Sequence, residues 1–580
     1  MLKNYKEFSL DEKTVKSTVG RNPNEFEWVV LKHFYYSQYL NNPIPEINKI
    51  INHGENTLWI DETTQLAVGL ESKGSIISSS AVRASTVQGT KPKLAYKSKQ
   101  SKISFVVSHH SIPQPQSITG REALFFLQDS KELVSACNDI LQLFSIIIKQ
   151  INPSSLGYSL NLLSNNKFGM DLHLSSAGQI STLSDTSSHG VLIVADQTLS
   201  TKIKGICKKH KQPCLFLGNL KAVQFLSISV RNKTKVNMPL SALNIAEPPK
   251  ISIVPAIPKS LKASKLKSFK ELKNYSKHVL ETYKIVNKKK WNHFKPKIAA
   301  VGSFAIISGN NDFAVSFPDN MHFISKDFKT ANRSAISNAA RQLVCNGFKP
   351  LGAALIIHGG SMTENDNIWN VRELFMGVTE ACQLMQIELF RPVVTTDNKL
   401  HPSLELCVIG KKYAKKTDVS DSFVSENDFI TMLGSHRGEL NSSVFQNEIQ
   451  KQKSSLIPSV DLQMETRVQE TVLQGIQTGL IKTAVNVTNG GLAVSLVKSL
   501  QNAEKGIGAR IHLSRKLRED EMLFGETQGM VVVSIGEKDL MEFERICMTI
   551  GVPSTTIGRV TTDNQFKFND VVKIDRDSFS

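Results

Sequence analysis

Apolar positions along the chain recur with two different periods. In NRSAISNAARQLVCNGF (332–348) and NVRELFMGVTEACQLM (370–385) they fall three and four residues apart, which predicts helices. PLGAALIIHG (350–359) and LELCVIG (404–410) are short apolar runs of the kind that predict buried strands. LAVSLVKSL (492–500) reads as a helix that starts after Gly490-Gly491. One pattern is used twice. Strand-like runs pass through Ala-Val in DETTQLAVGLES (61–72) and SGNNDFAVSFPDN (308–320). Further on, an apolar strand follows a polar turn in SDTSSHGVLIVAD (184–196) and FGETQGMVVVSIGE (524–537). A helix-like segment and a strand with a glycine come next, in ICKKHKQPCLFLGNL (206–220) and ICMTIGVPSTTIGRV (546–560). Gly190 to Gly218 is 28 residues and Gly529 to Gly558 is 29, the trace expected of a duplicated α/β module. The copies are unequal: Val68 to Gly157 spans 89 residues, Val315 to Gly491 spans 176, and the extra block at about 330–415 makes the first copy the reduced one.

Length and composition agree with a folded, multidomain chain. At 580 residues, with 40% hydrophobic and 21% charged positions, it is too long for one core and too apolar for disorder. No stretch of roughly 18 uncharged apolar residues is present, so no membrane association is expected, and MLKNYKEFSLDEK lacks the apolar centre of a secretory signal. Seven dispersed cysteines without a C-x-x-C pair predict reduced thiols and a cytoplasmic protein. Cys207 and Cys214 flank His210, but the spacing does not suit zinc. His109-His110 read as part of a solvated loop, and Arg341 and Lys349 as surface or helix-end cations.

Charge is unevenly placed. Of the net +18, about +16 lies in two stretches. Ser72–Gly120 carries seven cations and no acid and reads as a Ser/Thr-rich loop; Lys259–Lys290 carries 11 lysines against Glu271 and Glu281. The second follows a Pro-rich run and suits an amphipathic helix with Leu266, Phe269, Leu272, Val279 and Tyr283 near one face. A solvated linker explains such runs; an acidic protein or nucleic-acid partner, bound through Lys-rich 259–290, is the functional alternative.

Several segments together resemble formylglycinamidine ribonucleotide (FGAM) synthase, in its large, synthetase component, of the AIR-synthase superfamily. They are NAARQLVCNGFKPLGAALIIHGG (338–360), TGLIKTAVNVTNGGLAVSLVKSL (478–500) and MLFGETQGMVVVSI (522–535), with GRNPNEFE (20–27) and VNMPLSAL (236–243) in the first half. The resemblance implies an α/β (α+β) fold of pseudo-duplicated AIR-synthase-type modules around a shared β-barrel, the first module reduced. The domains it implies are an N-terminal segment (1–50), a reduced first N-like domain (51–110), a first C-like domain (111–250) and a basic linker (251–295). A second N-like domain (296–415) and a second C-like domain (416–580) complete the chain. It also implies an ATP- and Mg-dependent C–N ligation in purine biosynthesis, with ammonia delivered by a glutaminase-type partner.

The residues that carry such chemistry are largely replaced. The family histidine after G-R-x-P falls on Gln38 or Tyr39, and neither is a base at neutral pH. The E-S-H-N-H-P motif keeps Glu71, the remaining candidate metal ligand, and loses both histidines. A metal Asp falls on Asn152, and a nucleotide-contacting Asp on Leu355. S-G-N-V-S falls on Arg391–Thr395, leaving Thr395 as a ligand candidate in a segment that now carries Pro392. H-D-x-S-x-G-G-L becomes Val485–Leu492, with Gly490 and Gly491 kept and the carboxylate lost, and S-E-S-Q becomes Gly525–Gln528, with Glu526 kept. Gly490-Gly491 could bring backbone N–H groups to a phosphate at a helix start.

Three functions follow as expectations. The leading one is an FGAM-synthase-like pseudoenzyme of the purine-biosynthesis lineage that binds or scaffolds. The second is a divergent active ligase, with Mg and ATP as cofactors. The third is a basic binding protein for nucleic acid or an acidic partner.

Overall fold

The computed structural model describes residues 12–31, 119–141 and 190–244 of the first half, apart from isolated positions, with strands at 58–61, 66–72, 93–97, 103–109, 146–150 and 169–174. In the second half it describes 272–288, 313–320, 326–359, 365–389, 402–413 and 419–579, again with isolated gaps, and short strands at 300–301, 304–306 and 393–395. The chain divides into two compact units, Met1–Ile253 with Arg391–Leu400, and Val254–Phe390 with His401–Ser580.

Among the described residues the first unit holds two sheets. One is antiparallel, in the order Leu58–Asp61, Leu66–Ser72, Ile103–His109, Lys93–Lys97. Here the loop expected over 72–120 is corrected: KLAYK and ISFVVSH alternate along the chain and pair with one another, Lys97 opposite Ser104, so two strands run through the basic stretch. His109 accordingly ends a strand, opposite Leu66. The other sheet runs Ile146–Gln150, Gly190–Asp196, Glu122–Gln128, Cys214–Lys221, Gly169–Leu174, Phe225–Val230, Lys233–Pro239.

The second unit repeats this last arrangement. Its sheet runs Ile481–Asn486, Val531–Ile535, Phe429–Leu433, Ser554–Thr561, Gly508–Ile511, Gln565–Phe568, Val572–Asp575. Numbered from the first strand of each sheet in chain order, both read 2-4-1-5-3-6-7, with a parallel 3–6 pair in each. The repeated glycine now has a cause. A Cβ on Gly218 would lie 1.9 Å from the Asp171 carbonyl oxygen, and one on Gly558 2.1 Å from the Arg510 carbonyl oxygen. Each glycine sits at an irregularity in the antiparallel pairing of strand 5 with strand 1.

The remaining sheet of this unit runs Ala300–Val301, Phe304–Ile306, Phe313–Ser316, Ser403–Lys412, Phe348–His358, Glu388–Leu389. Helices Phe328–Cys345 and Asn365–Leu384 pack beside it. The Lys-rich segment forms helix Tyr275–Lys288, whose Val279 and Tyr283 enter the core of the second unit while Lys277 pairs with Glu281. Leu266 and Phe269 lie outside the described residues. Among the described residues no helix is long and apolar enough to cross a membrane.

The motif at 20–27 has a structural role. Arg21 donates two hydrogen bonds to the buried Glu27 carboxylate, at 2.7 and 2.8 Å, and a third to the Asn237 carbonyl at 2.9 Å. Asn24 and Glu27 cap each other reciprocally at 2.9 Å, and Asn237 N–H donates to Glu27 at 3.0 Å. Thus GRNPNEFE is stitched to VNMPLSAL, 210 positions away. Burial works to raise the Glu27 pKa, but Arg21 and the N–H groups of Asn237 and Asn24 outweigh it and hold the carboxyl below its ordinary value.

Candidate functional site: a buried polar seam

Helix Phe328–Cys345 starts at Asp327, whose carboxylate accepts the Thr330 N–H at 2.9 Å. Ser334, Asn338 and Arg341 follow at intervals of four and three, so they share one face. That face is buried, and its neighbours are polar. Ser334 Oγ donates to Gln528 Oε1 at 2.8 Å, and Asn338 Nδ2 to Thr488 Oγ1 at 3.1 Å. Arg341 Nε donates to Asn486 Oδ1 at 2.9 Å, and its Nη1 pairs with Glu465. Both charged side chains are 0% exposed. Gln469 donates to the other Glu465 oxygen at 2.8 Å. Complete burial pushes the Glu465 carboxyl upward, opposed by Arg341 and Gln469.

Arg341 is therefore not a surface cation, and the expectation for it is corrected. Its guanidinium lies between helix Phe328–Cys345, helix Leu462–Gln477 and the end of strand Ile481–Asn486. Lys349 is exposed, as a surface cation should be. No sequence signal marked Arg341, because its partners Glu465 and Asn486 lie 124 and 145 positions away.

Gly490, Gly491 and Glu526 come together. Gly490 has φ +87° and caps helix Gly491–Gln501. Glu526 Oε1 accepts the N–H of Gly490 and of Val444, each at 2.8 Å, so a carboxylate of the chain itself sits at the start of this helix. A Cβ on Gly491 would lie 2.6 Å from the Phe524 carbonyl carbon, so the loop bearing Glu526 rests directly on the glycine. Burial lowers the Lys498 pKa, against the pull of Asp319 and Glu526. Thr527 Oγ1 accepts the N–H of Arg437 at 3.2 Å and of Glu439 at 3.4 Å.

The positions where the resemblance implies acids are filled otherwise. Leu355 is fully buried in strand Phe348–His358, opposite Leu406. Val485 and Val487 belong to an apolar cluster with Leu492, Val494 and Phe524. Asn486 is held by Arg341. In the first unit, Glu71 lies in strand Leu66–Ser72 opposite Ser104, and Thr395 ends the short strand Val393–Thr395. Gln38, Tyr39 and Asn152 lie outside the described residues.

Residues 425–571 match the family described as AIR synthase related protein, C-terminal domain. A curated relative, phosphoribosylformylglycinamidine synthase subunit PurL of Alkaliphilus metalliredigens, is 24% identical over 476 residues, 76% of this chain. The match spans 64% of that relative, less than two thirds of its length. Among solved structures, phosphoribosylformylglycinamidine synthase II from Thermotoga maritima superposes with a TM-score of 0.56 at 13% identity, covering 95% of this chain and 99% of the other. T. maritima PurL complexed with AMPPCP gives 0.57 at 13% identity and PurLQS from T. maritima 0.55 at 12%, with the same coverage. Together these define a class by similarity: a mixed α/β chain that shares its fold with the T. maritima structures and carries an AIR-synthase-related C-terminal domain at 425–571. The chain as a whole is similar to PurL, a phosphoribosylformylglycinamidine synthase subunit, and spans less than two thirds of the curated relative's length.

Proposed function

We propose that this protein acts in the purine-synthesis lineage by binding or scaffolding, without ligating. The observation that carries the reading is the buried Arg341. Its guanidinium is hydrogen-bonded to Asn486, which stands in the segment where the resemblance implies a carboxylate, and it occupies the nearby carboxylate, Glu465. A divalent cation needs anionic oxygen ligands. This seam offers amides, hydroxyls and one carboxylate already paired with a fixed cation, so its donor set does not suit Mg. Glu526, the remaining acid of the module's motif, faces the backbone N–H groups of Gly490 and Val444.

The partner we propose is another purine-synthesis protein, of the glutaminase type or otherwise, in the cytoplasm. The support is that a T. maritima neighbour was solved as PurLQS. The test is ADP release from Mg-ATP with formylglycinamide ribonucleotide and ammonia. The reading predicts no substrate-dependent release. Turnover that requires all three reactants would establish a divergent active ligase instead.

A further inference from the structure

In the first unit, helix Ser200–Lys209 lies beside the sheet strand Cys214–Lys221, joined to it by a tight turn. His210 and Gln212 donate back to the Ile206 and Cys207 carbonyls at 3.1 and 2.9 Å, and Lys211 takes φ +56°. Cys207 and Lys204, three apart, share a helix face. Cys214 and Phe216, two apart, share a strand face. These two faces meet: the Lys204 ammonium stands 5.0 Å over the Phe216 ring, and Cys207, Cys214 and Phe216 pack in one apolar cluster. Cys207 is buried and Cys214 is partly exposed. A third thiol, Cys137, is buried in the same cluster, on helix Leu133–Leu141. His210 is turned to Asp139 at 2.7 Å. Among the described residues no three His, Cys, Asp or Glu side chains gather as a metal site.

We infer that Cys214 and Cys207 form an oxidisable thiol pair, in which Cys214 is attacked first by a peroxide and Cys207 resolves it as an intramolecular disulfide. The division of roles follows from access and charge. Cys214 alone of the three is reachable from solvent. The neighbouring Cys207 thiol, as hydrogen-bond donor, and then the Lys204 charge favour its thiolate, while burial opposes it. Cys207 is shifted the other way by the same partner and by burial, so it remains the protonated member.

The chemistry balances with hydrogen peroxide as the oxidant. The Cys214 thiolate attacks one peroxide oxygen, the O–O bond breaks, and Cys214 sulfenic acid and hydroxide form. Hydroxide takes the Cys207 proton. The Cys207 thiolate then attacks the sulfenic sulfur and expels the second hydroxide, which takes up the proton that Cys214 released on ionising and leaves as water. Two thiols become one disulfide and one peroxide becomes two waters.

This inference does not rest on the purine-lineage reading, since it concerns neither the polar seam nor any nucleotide. The test treats the reduced, full-length protein with hydrogen peroxide, blocks free thiols and maps peptides without reduction. The expected result is a Cys207–Cys214 cross-link, with the denatured thiol titre falling by two from seven. Cys207→Ser should instead accumulate a dimedone-reactive sulfenic acid on Cys214, and Cys214→Ser should give neither product. Wild-type protein that stops at sulfenic or sulfinic acid on Cys214, or that joins Cys207 to Cys137, overturns the assignment.

Discussion

Replacing Arg341 by Met tests whether the seam is held by this one cation. Arg341 is 0% exposed, and its three nitrogens reach Glu465, Asn486 and Gln528, the last at 3.5 Å. Met fills much of the volume but leaves Glu465 with the Gln469 amide, at 2.8 Å, in place of a cation. Removing one member of a buried pair costs about 3–5 kcal/mol, because a carboxylate is left in the interior without its counter-charge. Glu465→Met, which leaves the guanidinium uncompensated, should cost a similar amount. The double replacement removes both charges, so its loss should fall well below the sum, with a coupling of about 2 kcal/mol or more. The assay is urea unfolding of the full chain followed by far-UV circular dichroism, reading the transition of the second unit in all four proteins of the cycle. Single variants within about 1 kcal/mol of wild type, or strictly additive losses, would refute the reasoning.

Other outcomes follow from the same geometry. Acid should loosen the N-terminal stitch. Glu27 is held below its ordinary value of 4.5, so its stabilisation is complete above that pH and is lost as pH falls through the lower, folded-state value. Hydrogen exchange of residues 12–31 should rise in that window and become insensitive to pH there in Glu27→Gln. Gly558→Ala should destabilise the second sheet by about 1–3 kcal/mol, since its Cβ meets the Arg510 carbonyl oxygen at 2.1 Å. Gly205→Ala, on helix Ser200–Lys209 with nothing within 4 Å, should stabilise by about 0.5–1 kcal/mol. Thermal scanning of the two variants distinguishes these signs. Glu526→Ala leaves the N–H groups of Gly490 and Val444 without their acceptor and should cost about 1–3 kcal/mol, whereas Glu526→Gln, which keeps an acceptor oxygen, should cost less.

The elements with strong local pattern were legible in the sequence. NRSAISNAARQLVC forms helix Phe328–Cys345, PLGAALIIH lies in strand Phe348–His358, and the two-fold repeat reappears as one strand order used twice. Gly218 and Gly558 were visible as repeated residues, but their reason, a carbonyl oxygen on the neighbouring strand, is tertiary. Strands Lys93–Lys97 and Ile103–His109 were hidden by their lysines and serines, which suit one face of a strand as well as a loop. The seam was illegible for a different reason. Ser334, Asn338 and Arg341 occupy helical positions that pattern assigns to a solvent face, and their burial is permitted by partners more than a hundred positions away. The resemblance implies an acid at Asn486; in the structure its side-chain oxygen accepts a hydrogen bond from Arg341, a partner that the motif alone does not reveal.

We propose that the hydrogen-bonded seam of Arg341, Glu465 and Asn486 stands where the resemblance implies metal–nucleotide chemistry. Calorimetric titration of Mg-ATP into the full-length protein, followed by formylglycinamide ribonucleotide, tests it most directly. The account predicts no saturable heat from Mg-ATP at either stage. A saturating one-site isotherm that vanishes when Mg is chelated would contradict it.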